Sequence, residues 1–189
     1  VPPSFATKLL VPNLPSFSSM HPDIVVKIQA SEAISNFRAV NVDMAVRQGE
    51  PPFGDDVSSV FLSHLKLCAV CGVGYANRTF GPDETLMNHC LIYDGHAHWD
   101  VLLYNADIGK PPLTLKFNQT ALALDAAANG QGVALAPAIL AQADIQSGRL
   151  VELWRSDEAG SLGYYIVWPN AAQNPAIETM TDWLKTLVQ

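Results

Sequence analysis

The chain has few basic residues, few cysteines and no long apolar run, and each shortage excludes something. Its 189 residues hold 11 Lys and Arg against 18 Asp and Glu, a formal net charge of −7. Phosphate backbones repel such a surface, so these residues are not expected to grip nucleic acid by themselves. No apolar run approaches the roughly 20 residues that a membrane-spanning helix needs, so no membrane partner is expected. The opening residues, Val1-Pro2-Pro3-Ser4, carry neither the basic nor the apolar part of a signal peptide. Cys68, Cys71 and Cys90 are an odd set in a chain large enough to fold without staples, which points to a reducing, cytoplasmic setting. Also missing are G-x-S-x-G, H-E-x-x-H and a P-loop, and Gly72-Val73-Gly74 lacks the third glycine of a dinucleotide fingerprint. No cofactor and no enzymatic activity are expected.

What is present is an apolar content of 49% with 15% charged residues, a globular composition. A chain of this length buries roughly 70% of its unfolded surface. Short apolar strands alternate with amphipathic helices. Residues 5–17 place Phe5, Leu9, Leu10, Leu14 and Phe17 at helical spacing, with Ser4 as the expected N-cap and Pro12 opening a second short helix. Strands are expected at 24–30, 43–47, in the second half of 60–73, and at 113–117, 133–136, 150–154 and 164–168. Helices are expected at 31–40, 98–106 and 120–129 and after Pro137 and Pro175, with stops at Gly130 and Gly148. This alternation predicts an α/β architecture with largely parallel sheets. Two polar helix starts, Ser4-Phe5-Ala6-Thr7 and Asn118-Gln119-Thr120-Ala121, fit two α/β lobes that each aim a helix N-terminus at a shared cleft. Such a cleft suits a carboxylate or other small anion.

Six segments carry a resemblance. Ser4-Phe5-Ala6-Thr7-Lys8-Leu9-Leu10-Val11-Pro12-Asn13-Leu14-Pro15-Ser16-Phe17, followed by His21-Pro22-Asp23-Ile24, resembles the start of the effector-binding domain of LysR-type transcriptional regulators. Val42-Asp43-Met44-Ala45-Val46-Arg47-Gln48-Gly49 is similar to that family's third strand, and the stretch 117–137 to its second-lobe helix and strand. Gly148-Arg149-Leu150-Val151, Tyr164-Tyr165-Ile166-Val167-Trp168-Pro169 and Asp182-Trp183-Leu184 continue the match in order. The flavour is nearest the subgroup of the glycine-cleavage activator and the β-lactamase inducer.

The resemblance implies a two-lobed type 2 periplasmic-binding-protein-like fold with two crossover strands and an interlobe cleft. Lobe I would be 1–72 plus 162–189 and lobe II 73–161, with the family's helix-turn-helix and most of its first strand absent from this sequence. It implies a ligand-sensing regulatory domain whose small effector, an anionic or zwitterionic metabolite or peptide, controls DNA binding by the attached helix-turn-helix. The implied contacts are Ser4, Phe5, Ser31, Arg47 and Gly49, then Asn118, Gln119 and Thr120, and Tyr164 or Tyr165 on the returning strand. A homodimer through these domains is implied, and a homotetramer for the longer regulator.

Each of these residues also has a plainer reading. Ser4, Ser31 and Thr120 could serve as helix caps and Arg47 as an ion-pair partner. Adjacent Tyr164 and Tyr165 point to opposite faces of a strand, so one is expected in the core and the other toward the cleft. Cys68-Ala69-Val70-Cys71 lies on an expected strand, where positions i and i+3 face opposite sides and cannot chelate together, so buried thiols are expected. Two rival functions remain. One is a stand-alone solute-binding protein of the same fold. The other is a metal-dependent hydrolase using His96, His98 and Asp100, whose H-x-H-x-D spacing resembles a metallo-β-lactamase ligand motif. Its next position is Val101 rather than His, and no later His follows, so no metal is expected.

Overall fold

The structure, a computed structural model, describes residues 1–32, 37, 42–79, 88–107, 113–156, 161–172 and 174–188. Its backbone gathers into two units, Val1–Leu65 with Glu158–Gln189 and Lys66–Asp157. The sequence-level boundary at 72 and the unit boundary at 65 differ by one strand, Leu67–Gly72, whose partners all belong to the second unit.

In the first unit the chain opens with helix α1, Pro3–Phe5, runs through a π-helical turn, Ala6–Leu10, and continues as α2, Val11–Met20. The N-cap of α1 is Pro2, with Pro3 at the first helical position, so Ser4 lies inside the helix and is not the expected cap. The fixed φ of proline makes Pro3 a natural start, which displaces the cap by two residues. Pro12 falls at the start of α2, as its spacing suggested. The expected strand at 24–30 is extended and alternates in exposure but is not in a ladder. Val1 makes a single parallel-type bridge at its far end, donating from its N-terminus to Gln29 O at 3.0 Å and accepting from Ser31 N at 3.0 Å. Extended propensity without a neighbouring strand leaves the ladder unmade. The expected helix at 31–40 lies, apart from residues 31, 32 and 37, outside the described residues.

Strands β1 (Ala45–Gly49), β2 (Val57–His64) and β8 (Gly163–Pro169) form a three-stranded sheet in the order β1-β8-β2, antiparallel throughout. The last helix, α7 (Ala176–Thr186), buries Ile177, Thr181, Trp183 and Leu184 along one stripe. Phe17 of α2 packs against Trp183 at 5.1 Å, and the indole Nε1 donates to Ser16 Oγ at 3.3 Å.

The second unit holds a five-stranded sheet in the order β5-β4-β6-β3-β7. Its strands are β3 (Leu67–Gly72), β4 (Cys90–Tyr93), β5 (Leu113–Lys116), β6 (Val133–Pro137) and β7 (Leu150–Arg155). β5, β4 and β6 are parallel neighbours, whereas β3 runs antiparallel to both β6 and β7. The expectation of largely parallel sheets is therefore corrected. Alternating elements imply parallel crossovers only between strands that become neighbours, and β2–β8 and β3–β7 pair strands far apart in sequence. The helices of this unit are α3 (Val73–Thr79), α4 (His98–Asn105), α5 (Thr120–Ala128) and α6 (Ala138–Gln146).

Alanine and leucine make α5 a strong helix former. Ala121, Ala123, Leu124, Ala126 and Ala127 are buried, and their small size lets the helix lie close on the sheet. A Cβ at Gly72 of β3 would meet Ala128 O at 2.7 Å and Ala127 O at 2.8 Å, so only glycine fits there. The helix stops at Gly130, φ +75°, with Gly130 N bonded to Ala127 O and Gln131 N to Ala126 O. That pair of bonds is a Schellman motif, and Gly148 closes α6 in the same way. Beneath α4, Trp99 and Leu103 join Leu91, Val133, Leu135, Ala69 and Cys71 in one buried cluster. Cys68, also fully buried, stands outside that cluster on the same strand, as alternation requires. Burial pushes the Cys68 thiol up to about 12 and the Cys71 thiol to about 11.

Two outcomes follow from this packing. Gly132→Ala would place a Cβ 2.2 Å from Cys90 O at a φ of +152°. It is expected to cost at least about 2 kcal/mol in urea melts, and an unchanged midpoint would contradict the packing. Cys68 and Cys71 are expected to resist iodoacetamide in the folded chain at mildly alkaline pH and to react in denaturant, read by intact mass.

Candidate functional site

In open α/β sheets, ligands favour the carboxyl ends of parallel strands. β4 and β5 end side by side, and the ladder continues one step beyond them, Phe117 N donating to Tyr93 O at 2.9 Å. Asp94-Gly95-His96-Ala97 follows β4 and leads into α4. Phe117-Asn118-Gln119 follows β5 and leads into α5. The loops lie against each other, since a Cβ at Gly95, φ +90°, would stand 3.4 Å from the Asn118 Cα.

Asp94 joins them. Its side chain is only 2% exposed, and its two oxygens serve different loops. Oδ2 accepts the Thr120 hydroxyl at 2.7 Å. Oδ1 accepts the His96 backbone N–H at 3.0 Å and lies 3.2 Å from His96 Nδ1. Burial alone would push this carboxyl up, but the bonds from His96 and Thr120 outweigh burial and hold it below its ordinary 3.8. The His96 and His98 rings stack nearly parallel, 5.1 Å apart at 13°. Burial lowers the His98 imidazole, with Asp94 opposing that shift. The buried Trp99 Nε1 donates to Ile92 O at 3.0 Å and anchors α4 to the end of β4.

In front of these loops is an open groove of about 240 Å³ lined by Tyr93, Gly95, His96, Ala97, Asp100, Lys116 and Phe117. The Tyr93 hydroxyl donates to Asp100 Oδ1 at 3.3 Å, and Lys116 Nζ stands 5.6 Å from the Tyr93 ring centre. Burial and the neighbouring Asp100 raise the Tyr93 phenol, which keeps its donor proton.

The residues named from the sequence fall in separate groups. Thr120 is buried at the first position of α5, where Gln119 is the N-cap, and its hydroxyl goes to Asp94 rather than to a cap bond. Asn118 is exposed and Gln119 half-buried. In the first unit, Ser4 and Phe5 are buried, and the Phe5 ring lies 5.5 Å from that of Tyr164. Across β1 and β8, Arg47 pairs with Tyr165, Gln48 with Tyr164 and Gly49 with Gly163. Tyr165 packs against Phe53 at 5.2 Å and Phe61 at 5.5 Å, while the Arg47 guanidinium sits 5.4 Å over the Phe37 ring. Tyr164 with Phe5 and Tyr165 with Arg47 thus occupy opposite sheet faces. Ser31 is exposed, its N–H on Val1 O.

Tyr93 and Asp94 drew no notice in the sequence because β4 itself was missed. The signal was present, since Asp-Gly directly after an apolar run marks a strand end and a turn. The hydrolase reading is not supported by the geometry. His96 and His98 stack face to face instead of converging, Asp100 is held by Tyr93, and no group of three or more His, Cys, Asp or Glu able to hold a metal occurs among the described residues.

Comparison with known proteins defines the class first. The solved effector-binding domain of AmpR from Citrobacter freundii has the same fold, with a TM-score of 0.75 at 22% identity, over 98% of this chain and 94% of that one. The CrgA regulatory domain from Neisseria meningitidis matches with a TM-score of 0.74 at 21% identity, over 100% of this chain and 96% of that one. Those domains have the type 2 periplasmic-binding-protein-like fold expected from the sequence. The family follows from the sequence profile of the LysR substrate binding domain, which matches residues 1–189, and the chain belongs to that family. It is 31% identical to the glycine cleavage system transcriptional activator of Escherichia coli, over 96% of this chain and 61% of that protein. It is 30% identical to an uncharacterized HTH-type transcriptional regulator, y4mQ, of Sinorhizobium fredii, over 96% of this chain and 63% of that protein. The chain thus spans about three-fifths of the length of these relatives. They are regulators, not enzymes, and favour neither rival reading.

Asp94→Asn is expected to lose about 1–3 kcal/mol at neutral pH, the worth of hydrogen bonds to a buried charge. A carboxyl held below its ordinary value stabilises the fold above that value and loses the contribution as pH falls through the folded one. The gap between wild type and variant in urea melts should therefore close as pH drops below 3.8. Equal stability at neutral pH would refute the role given to this carboxylate.

Proposed function

We propose that this chain is the sensing part of a LysR-type transcriptional regulator in the cytoplasm. It takes up a small anionic or zwitterionic metabolite or peptide, and the bound state alters transcription through an attached helix-turn-helix. The observation that carries this is the family match over all 189 residues, in a chain that spans about three-fifths of regulators such as the glycine cleavage activator. The net charge of −7 agrees, because DNA contact then falls to a separate domain. Pairing into a homodimer through this domain, and into a homotetramer in the longer protein, belongs to the same reading.

Effector contacts are proposed at Ser4, Phe5, Ser31, Arg47, Gly49, Tyr164 and Tyr165 in the first unit and at Asn118, Gln119 and Thr120 in the second. The start of α5 supports the second group, because its first N–H groups and the positive end of its dipole favour a carboxylate. The Thr120 hydroxyl donates to Asp94, so toward a ligand its oxygen can only accept. Ligand selection between two states of the domain would then supply the regulatory change.

A thermal-shift screen of cellular metabolites against the chain tests this. A ligand at about a hundred times its Kd should stabilise the fold by about 2.7 kcal/mol. Asn118→Trp, at an exposed position, should abolish that shift without lowering the unliganded Tm. The same variant in the longer regulator should silence a reporter's response to the ligand. A ligand shift that survives Asn118→Trp would overturn the assignment of the second unit's contacts.

A further inference from the structure

The groove beside the candidate contacts has a chemistry of its own. It carries both charges on one wall, Asp100 on α4 and Lys116 at the end of β5, with Tyr93 between them. Its volume of about 240 Å³ suits a group the size of one amino acid. Drug-sized ligands need roughly 300–1,000 Å³. Its floor is fixed in advance. Trp99 pins α4 to Ile92 O, and Asp94 holds the His96 backbone and ring. A site held in place before binding loses less order when the ligand arrives.

We propose that this groove is a subsite for a free α-amino-acid group, with Lys116 taking the carboxylate and Asp100 the ammonium. The proposal rests on reading the chain as an effector sensor and adds the ligand's class and the residues that select it. The Tyr93 hydroxyl holds Asp100, and Lys116 occupies the Tyr93 ring, so ring and ligand ammonium do not compete for the same face. Phe117 and Ala97 supply apolar wall for the ligand's Cα and first side-chain carbon. His96 lines the groove and Thr120 begins α5, and both are held by Asp94. Occupation of the groove is thereby linked to the helix start through one carboxylate.

The test is ligand-observed NMR and calorimetry on the 189-residue polypeptide with the twenty free amino acids, their N-acetyl forms and their carboxamides. At least one free amino acid should bind, and either capped form should bind at least about tenfold more weakly, the loss of one charge-assisted contact. Lys116→Met and Asp100→Asn should each weaken binding about tenfold or more. Both side chains are exposed, so circular dichroism and Tm should stay unchanged. Binding that is indifferent to Lys116→Met and Asp100→Asn but lost in Asn118→Trp would overturn the groove and leave the sensor reading intact. Binding of no free amino acid would overturn the ligand class, whereas the sensor reading stands or falls by the metabolite screen.

Discussion

A single buried carboxylate ties together the loop after β4 and the helix after β5 in the second unit. Asp94 could not remain ionised at 2% exposure without partners, and it finds them on two segments, its own loop after β4 and the start of α5. Desolvation and hydrogen bonding pull its protonation in opposite directions, and hydrogen bonding wins. The consequence is geometric. The loop after β4 and the helix after β5 become one piece, with the Thr120 hydroxyl turned toward the carboxylate.

The first unit shows a different constraint, the two-residue period of a strand. Tyr164 and Tyr165 are neighbours in sequence but belong to different surroundings, one against Phe5 and the other among Phe53, Phe61 and the residues near Arg47. An antiparallel register with β1 on one side and β2 on the other leaves neither tyrosine room to change face. The proposed contacts of this unit therefore lie on both faces of the sheet.

Much of this was legible in the residues, and the failures have physical causes. The Ala-rich helix with its stop at Gly130, the short strands 113–117 and 133–136, and the opposed cysteines of β3 were readable because local propensity and tertiary packing agree there. β4 escaped because four residues show too little periodicity to stand out. Strand direction escaped because it depends on which strands become neighbours. The residues 24–30 read as a strand because Ile, Val and Val favour extension, but a ladder also needs a partner. At the candidate site, Thr120 was visible as a hydroxyl at a helix start, while the role of Asp94 depends on a contact 26 residues away that no spacing rule encodes.

The contact between α5 and β3 has an implication for how such a domain changes its taste. With Ala127 and Ala128 carbonyls seated over Gly72, the helix can neither slide nor roll on the sheet without moving a strand at the heart of the unit. The foundation is rigid, while the segments it presents, 96–97 and 117–119, lie at its lip outside the buried cluster. Those few positions can be rewritten one at a time without loosening the scaffold. Under the proposed contacts, such a domain would move from one metabolite to another by exchanging rim residues while α5 and β3 stay as they are.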